Sequence, residues 1–141
     1  MKKLTILFLA IGLIAMAATT LSLTSANNGK KMEVQHKKYK ACIKACKKSI
    51  KSCNQCESMC AKEKDPKMDL CIQLCKECVS SCEKAIKSMR ENSANVKSDC
   101  IACANACDKC VVECKKFTSE SCKKCVTDCS KTAELCREMS K

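Results

Sequence analysis

The stretch Cys100-Ile-Ala-Cys103-Ala-Asn-Ala-Cys107-Asp-Lys-Cys110-Val-Val-Glu-Cys114 decides the fold of this chain. Its cysteines follow one another at alternating steps of three and four residues. Because a helix has about 3.6 residues per turn, residues spaced in this way lie on one stripe of its surface. Ordinary helix bundles fill such a stripe with leucine and isoleucine. The stretch therefore predicts a helix whose buried face consists of sulfur.

The same spacing recurs in three other segments and accounts for all 18 cysteines of the 141-residue chain. Two steps of seven interrupt the alternation, and Ser49 and Thr132 occupy the skipped places. The recurrence predicts four helices that each direct a column of thiols toward a common axis. The columns are Cys42, Cys46, Cys53, Cys56 and Cys60; Cys71, Cys75, Cys78 and Cys82; Cys100, Cys103, Cys107, Cys110 and Cys114; and Cys122, Cys125, Cys129 and Cys136.

Capping signals predict where the helices begin and end. The chain has only two glycines and one proline, and no alternating strand pattern. Asp65-Pro66, Asn92-Ser93 and Thr118-Ser119 supply helix starts. Because the connections are short, consecutive helices should be antiparallel neighbours. The predicted fold is an all-α, up-down-up-down four-helix bundle with a cysteine-lined core over residues 32–141. Its helices span residues 32–62, 66–90, 94–116 and 119–139, after a flexible tail at 27–31.

Residues 1–26 have the layout of a secretory signal peptide. Basic Met1-Lys2-Lys3 precedes the apolar run Leu4–Ala18, and small residues at Thr24-Ser25-Ala26 suit a signal peptidase. This layout predicts export, to the periplasm in a bacterium. A membrane anchor is the alternative, because the run could extend through Leu23 to about 20 residues.

Composition excludes several functional classes. Large aliphatic residues are few and Trp is absent, so cysteine must supply much of the core as a small apolar residue. The net charge of +12 comes from lysines dispersed among acidic residues. Without an aromatic platform or a recognition motif, this charge does not indicate nucleic-acid binding. The chain has a single histidine, His36, and no catalytic constellation of side chains, so we predict that it is not an enzyme.

Three interpretations of the thiols remain open at this stage. A disulfide-stapled structural or interaction protein is the default for an exported cysteine-rich chain. Within one helix, however, cysteines three or four residues apart have Cβ atoms about 5–6 Å apart, beyond the roughly 3.8 Å of a disulfide. Zinc in a metallothionein-like buffer, or an iron–sulfur cluster, also suits thiolates. Four-thiolate zinc sites would each bury a net charge of −2, which is costly.

Cu(I) is the third interpretation and the one that we favour. Soft thiolates select Cu(I), and each sulfur can bridge two ions. One ion per thiolate gives a neutral core. Metal–sulfur bonds of about 2.3 Å place two sulfurs up to about 4.6 Å apart across one ion, which fits cysteines at steps of three or four. The 18 cysteines are therefore the predicted ligands of multiple Cu(I) ions.

The chain resembles the bacterial copper storage proteins over about residues 32–139. The resemblance rests on steps such as Cys71-x3-Cys75-x2-Cys78-x3-Cys82 and on the Cys100 to Cys114 stretch. It implies Cu(I) bound inside the bundle, a storage role and often a tetramer of bundles. Copper-delivering or copper-receiving proteins are the other expected partners. Exported members of the family can carry a twin-arginine signal, whereas this chain has Lys2-Lys3, so we expect metal loading after export.

Weaker ligands continue the sulfur stripes at one end of the predicted bundle. Met89 and Met139 follow the last cysteines of the second and fourth segments, and His36 precedes the first cysteine. Thioether and imidazole groups exchange Cu(I) more readily than thiolates do. We predict a metal entry point there, with simple core packing by the methionines as the alternative. Met68 holds the equivalent place at the other end.

Overall fold

The computed structural model describes the backbone of residues 24–141 and the side chains of residues 33, 34 and 37–141. Its elements are α1 (Thr24–Glu63), a 3-10 turn (Pro66–Met68), α2 (Asp69–Glu91), α3 (Val96–Cys114) and α4 (Glu120–Met139). The range 24–141 contains no β-strand. Most of the predicted signal peptide, residues 1–23, lies outside the described residues, so that peptide stays a prediction. Between residues 24 and 141, no helix is both long and apolar enough to cross a membrane.

The four helices pack as a closed ring of neighbours. α1 contacts α2 and α4, and α3 contacts the same two helices from the other side. Thiol contacts show that neighbours are antiparallel: Cys71, near the start of α2, meets both Cys60 near the end of α1 and Cys114 at the end of α3. This arrangement confirms the predicted up-down-up-down bundle. It places the starts of α1 and α3 at the same end as the last turns of α2 and α4.

Two of the predicted helix starts are confirmed by their caps. The Asp65 carboxylate accepts a hydrogen bond from the backbone N–H of Lys67 at 3.0 Å, with Pro66 at the first position of the turn. The Ser119 hydroxyl accepts one from the backbone N–H of Cys122 at 3.3 Å. Each cap satisfies a backbone donor that the first turn leaves unpaired.

The third start lies two residues later than predicted. Asn92 adopts φ 49° and ψ 43° and caps the end of α2 instead of beginning α3. Asparagine tolerates this left-handed conformation better than most residues, because its short side chain can hydrogen-bond locally. α3 then begins at Val96, where the backbone N–H donates to the Ser93 carbonyl.

α1 begins earlier than predicted, at Thr24. Residues 27–31, which the sequence predicts as a flexible tail, continue the helix instead. Asn27, Asn28 and Gly29 are weak helix formers, each costing at most about 1 kcal/mol relative to alanine. Extending a helix that already exists needs no new nucleation, so a few weak residues do not end it.

The core is made of sulfur with a few apolar side chains at its ends. None of the 18 cysteines is more than 2% exposed. Tyr39, Met89 and Val96 are buried at one end of the bundle, and Met68 is buried at the other. Small residues such as Ala104 and Ala133 fill positions beside the cysteines. Protonated cysteine therefore takes the packing role that leucine has in an ordinary bundle.

Few ionic contacts tie the helices together, and most of them are exposed. Lys76 of α2 lies 3.5 Å from Glu57 of α1, and Arg137 of α4 pairs with Asp108 of α3. Exposed pairs of this kind contribute about 0–1 kcal/mol. Asp99 of α3 is different because only 5% of it is exposed. It accepts a hydrogen bond from the Ser88 hydroxyl of α2.

Replacing Asp99 with asparagine should lower the free energy of unfolding of the reduced protein by about 1 kcal/mol at neutral pH. The Ser88 hydroxyl, and after it the Lys84 ammonium 3.1 Å away, hold the pKa of Asp99 below its ordinary value. A lowered folded-state pKa stabilises the fold above the unfolded pKa of about 3.9, and this gain disappears as the pH falls through the folded-state pKa. The difference between wild type and Asp99→Asn should therefore vanish in acid.

Urea unfolding at several pH values measures this effect, and Asp108→Asn is the matched control. Asp108 is also an aspartate of α3 in an ion pair, but 47% of its side chain is exposed. The control should change the free energy of unfolding by less than about 0.5 kcal/mol. Equal losses for the two variants, or a loss at Asp99 that persists at low pH, would contradict the assignment.

Candidate metal centre

The cysteine columns meet along the bundle axis because each helix turns one stripe inward. Sulfur atoms of neighbouring helices lie 3.4–4.0 Å apart, as in Cys56–Cys122 at 3.4 Å and Cys46–Cys136 at 4.0 Å. All 18 cysteines are free thiols. A disulfide bond is only about 2.05 Å long, so these contacts are thiol–thiol contacts between helices. They are the distances that one small ion can span.

The sulfur–sulfur distances indicate how many sulfur ligands one ion would have. For metal–sulfur bonds of about 2.3 Å, two sulfurs are about 4.6 Å apart across a linear site, about 4.0 Å in a trigonal site and about 3.8 Å in a tetrahedral site. The shortest contacts, at 3.4–4.0 Å, therefore fit ions with three or four sulfur ligands.

Groups of cysteines that could hold one ion overlap along the core. In each group the sulfur atoms lie within 4.8 Å of one another. Successive four-cysteine groups share members, so the same thiol faces two possible ions. The groups are Cys53, Cys78, Cys110 and Cys129; Cys53, Cys75, Cys110 and Cys125; Cys56, Cys75, Cys114 and Cys125; Cys56, Cys60, Cys71 and Cys122; and Cys42, Cys46 and Cys136, among others.

This overlap favours a metal that accepts bridging thiolates. Independent tetrahedral zinc sites each require four thiolates of their own. Cys53 and Cys110 cannot belong to two such sites at once, although they occur together in two groups. Cu(I) accepts bridging thiolates. The arrangement therefore fits a continuous Cu(I)–thiolate assembly better than a row of separate zinc sites.

Burial opposes ionisation of the thiols at one end of the core. It raises the pKa of Cys122 to about 12, and it also raises the pKa of Cys60. Thiols with raised pKa values stay protonated at neutral pH, so an incoming Cu(I) must displace a proton. Every lysine whose side chain is described is exposed. The positive charges therefore surround the core and do not enter it.

The two skipped places of the cysteine pattern face each other. The hydroxyl groups of Ser49 in α1 and Thr132 in α4 lie 2.9 Å apart, and both residues are fully buried. Sequence reasoning noted each residue separately but did not predict the pair. The signal was available, because antiparallel α1 and α4 bring opposite ends of their columns together and so align the two gaps.

The predicted entry residues are only partly placed by the structure. Met89 is fully buried, with 1% exposed, and Met139 is half-buried against the core. Both lie at the end of the bundle where α2 and α4 finish, as the sequence predicted. The side chain of His36 lies outside the described residues. Met68 is buried at the opposite end, as expected.

The chain is similar in sequence to known cysteine-rich proteins. Residues 35–141 match the family model described as copper storage protein. The chain belongs to the copper storage protein family. It is also 37% identical to the cysteine-rich protein YhjQ of Bacillus subtilis over 101 residues, which cover 71% of this chain and 94% of YhjQ. The family assignment and the predicted fold therefore agree.

Two solved structures of copper storage proteins have the same fold. Apo-Csp3 from Bacillus subtilis superimposes with a TM-score of 0.68 and 36% identity, covering 73% of this chain and 99% of its own. The Cu(I)-bound copper storage protein BsCsp3 gives a TM-score of 0.71 at 36% identity, with coverages of 74% and 99%. The match covers nearly all of each solved chain.

Proposed function

We propose that this copper storage protein sequesters Cu(I) through its 18 inward-facing cysteines, with about one ion per thiolate. The overlap of the four-cysteine groups carries the proposal, because shared thiols are what bridging Cu(I) requires. A neutral copper–thiolate core also avoids the cost of burying charge. The Cu(I) in the BsCsp3 structure, a relative with 36% identity, supports the same metal.

A Cu(I) titration of the reduced bundle, from residue 27 onward, tests this proposal. We expect binding of about 15–20 ions per chain, because 18 thiols can hold about one bridged ion each. Ions are counted by elemental analysis after gel filtration, and thiols are counted in parallel. Saturation at four or fewer ions would indicate zinc-like sites, and a bundle with nine stable disulfides by intact mass would indicate a structural scaffold.

The storage role does not require catalysis. Membership of the copper storage protein family supports a role without catalysis. A capacity of many ions favours storage over one-to-one delivery. The partners of such a store are proteins that supply Cu(I) and proteins that receive it. Assembly into a tetramer of bundles, implied by family resemblance, is part of the proposal.

Export is proposed from the first residues alone. The basic start and apolar run indicate a secretory signal that is removed near Ala26, and the general secretory route delivers unfolded chains. The bundle would then fold and load outside the cytoplasm, in the periplasm of a bacterium. Retention by an uncleaved anchor is the alternative. Mass spectrometry of the protein isolated from its host distinguishes the two, because cleavage leaves a chain that begins near Asn27.

Replacing His36, Met89 and Met139 together should slow Cu(I) uptake and release while the amount finally bound stays set by the thiols. Exchangeable thioether and imidazole ligands provide transient binding positions for Cu(I) between the solvent and the buried thiolates. The triple variant His36→Gln, Met89→Leu, Met139→Leu keeps side-chain volumes close to those of the wild type. Stopped-flow mixing with a Cu(I) chelator measures the rates.

Met68→Leu is the matched control for this entry point. Met68 is also a buried methionine that extends a cysteine stripe, but it lies at the opposite end of the bundle. We expect the control to keep wild-type rates. The proposal fails if the triple variant also keeps wild-type rates, or if Met68→Leu slows exchange to the same degree.

A further inference from the structure

We propose that the buried Ser49–Thr132 pair divides the sulfur core into two Cu(I) pools that exchange slowly with each other. The inference rests on the storage function proposed above and adds an internal organisation to it. We define the end pool as Cys42, Cys46, Cys82, Cys100, Cys103 and Cys136. The main pool comprises the other twelve cysteines, namely Cys53, Cys56, Cys60, Cys71, Cys75, Cys78, Cys107, Cys110, Cys114, Cys122, Cys125 and Cys129.

The hydroxyl pair removes two ligands at one level of the core. Ser49 and Thr132 occupy stripe positions that otherwise hold cysteine, and neither is exposed to solvent. Their hydroxyls satisfy each other at 2.9 Å. A neutral hydroxyl is a hard, weak donor for Cu(I), which prefers thiolates and thioethers. The α1 and α4 sides of the core therefore offer no good ligand at this level.

Short thiol contacts join all twelve members of the main pool into one network. On the α1–α4 side, Cys53 lies 3.5 Å from both Cys125 and Cys129. On the α2–α3 side, Cys78 lies 3.5 Å from Cys107 and also reaches Cys129 at 3.7 Å. The remaining members are joined by contacts of 3.4–3.9 Å. One bridged assembly can therefore extend through the whole pool.

The end pool is joined less tightly. Cys42 lies 3.5 Å and Cys46 lies 4.0 Å from Cys136, while Cys82 lies 3.5 Å from Cys103. Looser thiol contacts connect these groups, for example between Cys46 and Cys103. Similar contacts join Cys100, the remaining member of the pool, to Cys42 and Cys136. Ions in this pool should share fewer bridging thiolates and dissociate more readily.

The boundary between the pools coincides with the hydroxyl pair. Among the described residues, no thiol–thiol hydrogen-bonding contact of 4.0 Å or less joins a member of one pool to a member of the other. Looser contacts cross from Cys82 to Cys78 and Cys107, and from Cys103 to Cys107. These four cysteines lie on α2 and α3. Ions that pass between the pools are therefore directed to that side of the bundle, opposite the hydroxyl pair.

Release of Cu(I) from the fully loaded bundle to an excess of a chromogenic chelator tests the division. The bundle is loaded to saturation, freed of unbound metal and mixed in a stopped-flow instrument. We expect two phases, with about one third of the copper in the fast phase and two thirds in the slow phase, in proportion to the six and twelve thiols. The end pool lies beside the end where Met89 and Met139 lie, and it should release first.

Cysteines in place of the Ser49–Thr132 pair should merge the two pools. The double variant Ser49→Cys, Thr132→Cys supplies the two missing thiols, so release should become a single phase and the capacity should rise by about two ions. Ser49→Ala, Thr132→Val is the matched control, because it removes the hydroxyls without adding ligands. The control should keep two phases and the wild-type capacity.

A third variant serves if the added cysteines disturb folding. Cys42→Ser, Cys46→Ser, Cys136→Ser removes half of the end pool, and it should shrink the fast phase while the slow amplitude stays unchanged. A single release phase in the wild type, two unchanged phases in the Ser49→Cys, Thr132→Cys variant, or equal losses from both phases in the third variant would overturn the division. Failure of storage itself is separate, because it appears as low capacity in the loading step before any release is measured.

Discussion

Loading the reduced bundle with Cu(I) is expected to raise its thermal unfolding midpoint by at least about 20 °C. A ligand that binds only the folded state adds about 4 kcal/mol when its concentration is about 1,000 times the dissociation constant. A bundle of this length lies between the 60–100-residue and the 150–250-residue classes, so each kcal/mol raises the midpoint by about 3–6 °C. A single tight site would therefore contribute about 12–24 °C, and the overlapping groups offer several sites.

The unfolded chain reduces this gain but cannot cancel it. Unfolded cysteines also bind Cu(I), which stabilises the unfolded state to some extent. Only the fold, however, brings thiols from all four helices together, as in the group of Cys53, Cys78, Cys110 and Cys129. Metal bound across the four helices links elements that unfolding must separate.

Far-UV circular dichroism of the apo and loaded bundle during heating measures the shift. The apo bundle should be largely helical before metal is added, because protonated cysteine packs as an apolar residue. Protein whose thiols have been alkylated under denaturing conditions is the control, and copper should not change its signal. A random coil before loading would show that the metal site is not preformed, and an unchanged midpoint would contradict binding across the helices.

Replacing Cys53 and Cys110 with serine should remove two to four Cu(I) ions from the total. The two cysteines occur together in two overlapping groups. In a bridged assembly each thiolate holds about two ions, so the loss is larger than the loss of one site. If the ions occupied independent four-thiolate sites, both cysteines would serve the same site and only one ion would be lost.

Ala45→Ser, Ala104→Ser is the matched control for this double variant. Ala45 and Ala104 are buried on α1 and α3, the same two helices that carry Cys53 and Cys110. The control places the same buried serines without removing a thiol, so it should keep the full capacity. Metal counting on both proteins decides the matter, and a loss of a single ion from Cys53→Ser, Cys110→Ser would contradict a shared assembly.

The sequence predicts the helices and their buried faces because these depend on a repeated local signal. Steps of three and four fix which side of a helix is buried, as in Cys100 to Cys114, without any knowledge of the partner helix. Caps such as Asp65 and Ser119 are also local, since each bonds to a backbone group two or three residues away. Short connections then leave few ways to arrange four helices.

Two kinds of feature were not predicted: those decided between competing local signals, and those that depend on how two helices are aligned along the bundle axis. Asn92 could begin one helix or end another, and the left-handed conformation that ends α2 prevailed. The pairing of Ser49 with Thr132 follows only when the cysteine columns of α1 and α4 are aligned in antiparallel register, a step beyond the local pattern of either helix. The same register determines which thiols meet. The sequence therefore predicts a sulfur-lined core but not the overlapping groups within it.

The complete burial of the sulfur atoms has a consequence for recognition. No cysteine is more than 2% exposed, while the lysines around the core face the solvent. When each arriving Cu(I) displaces one proton, the net charge of the molecule does not report how full it is. A protein that docks on the outer surface meets the same net charge whether the store is empty or full. The direction of transfer is then governed by the chemical potential of copper on the two sides, not by a change in binding partner.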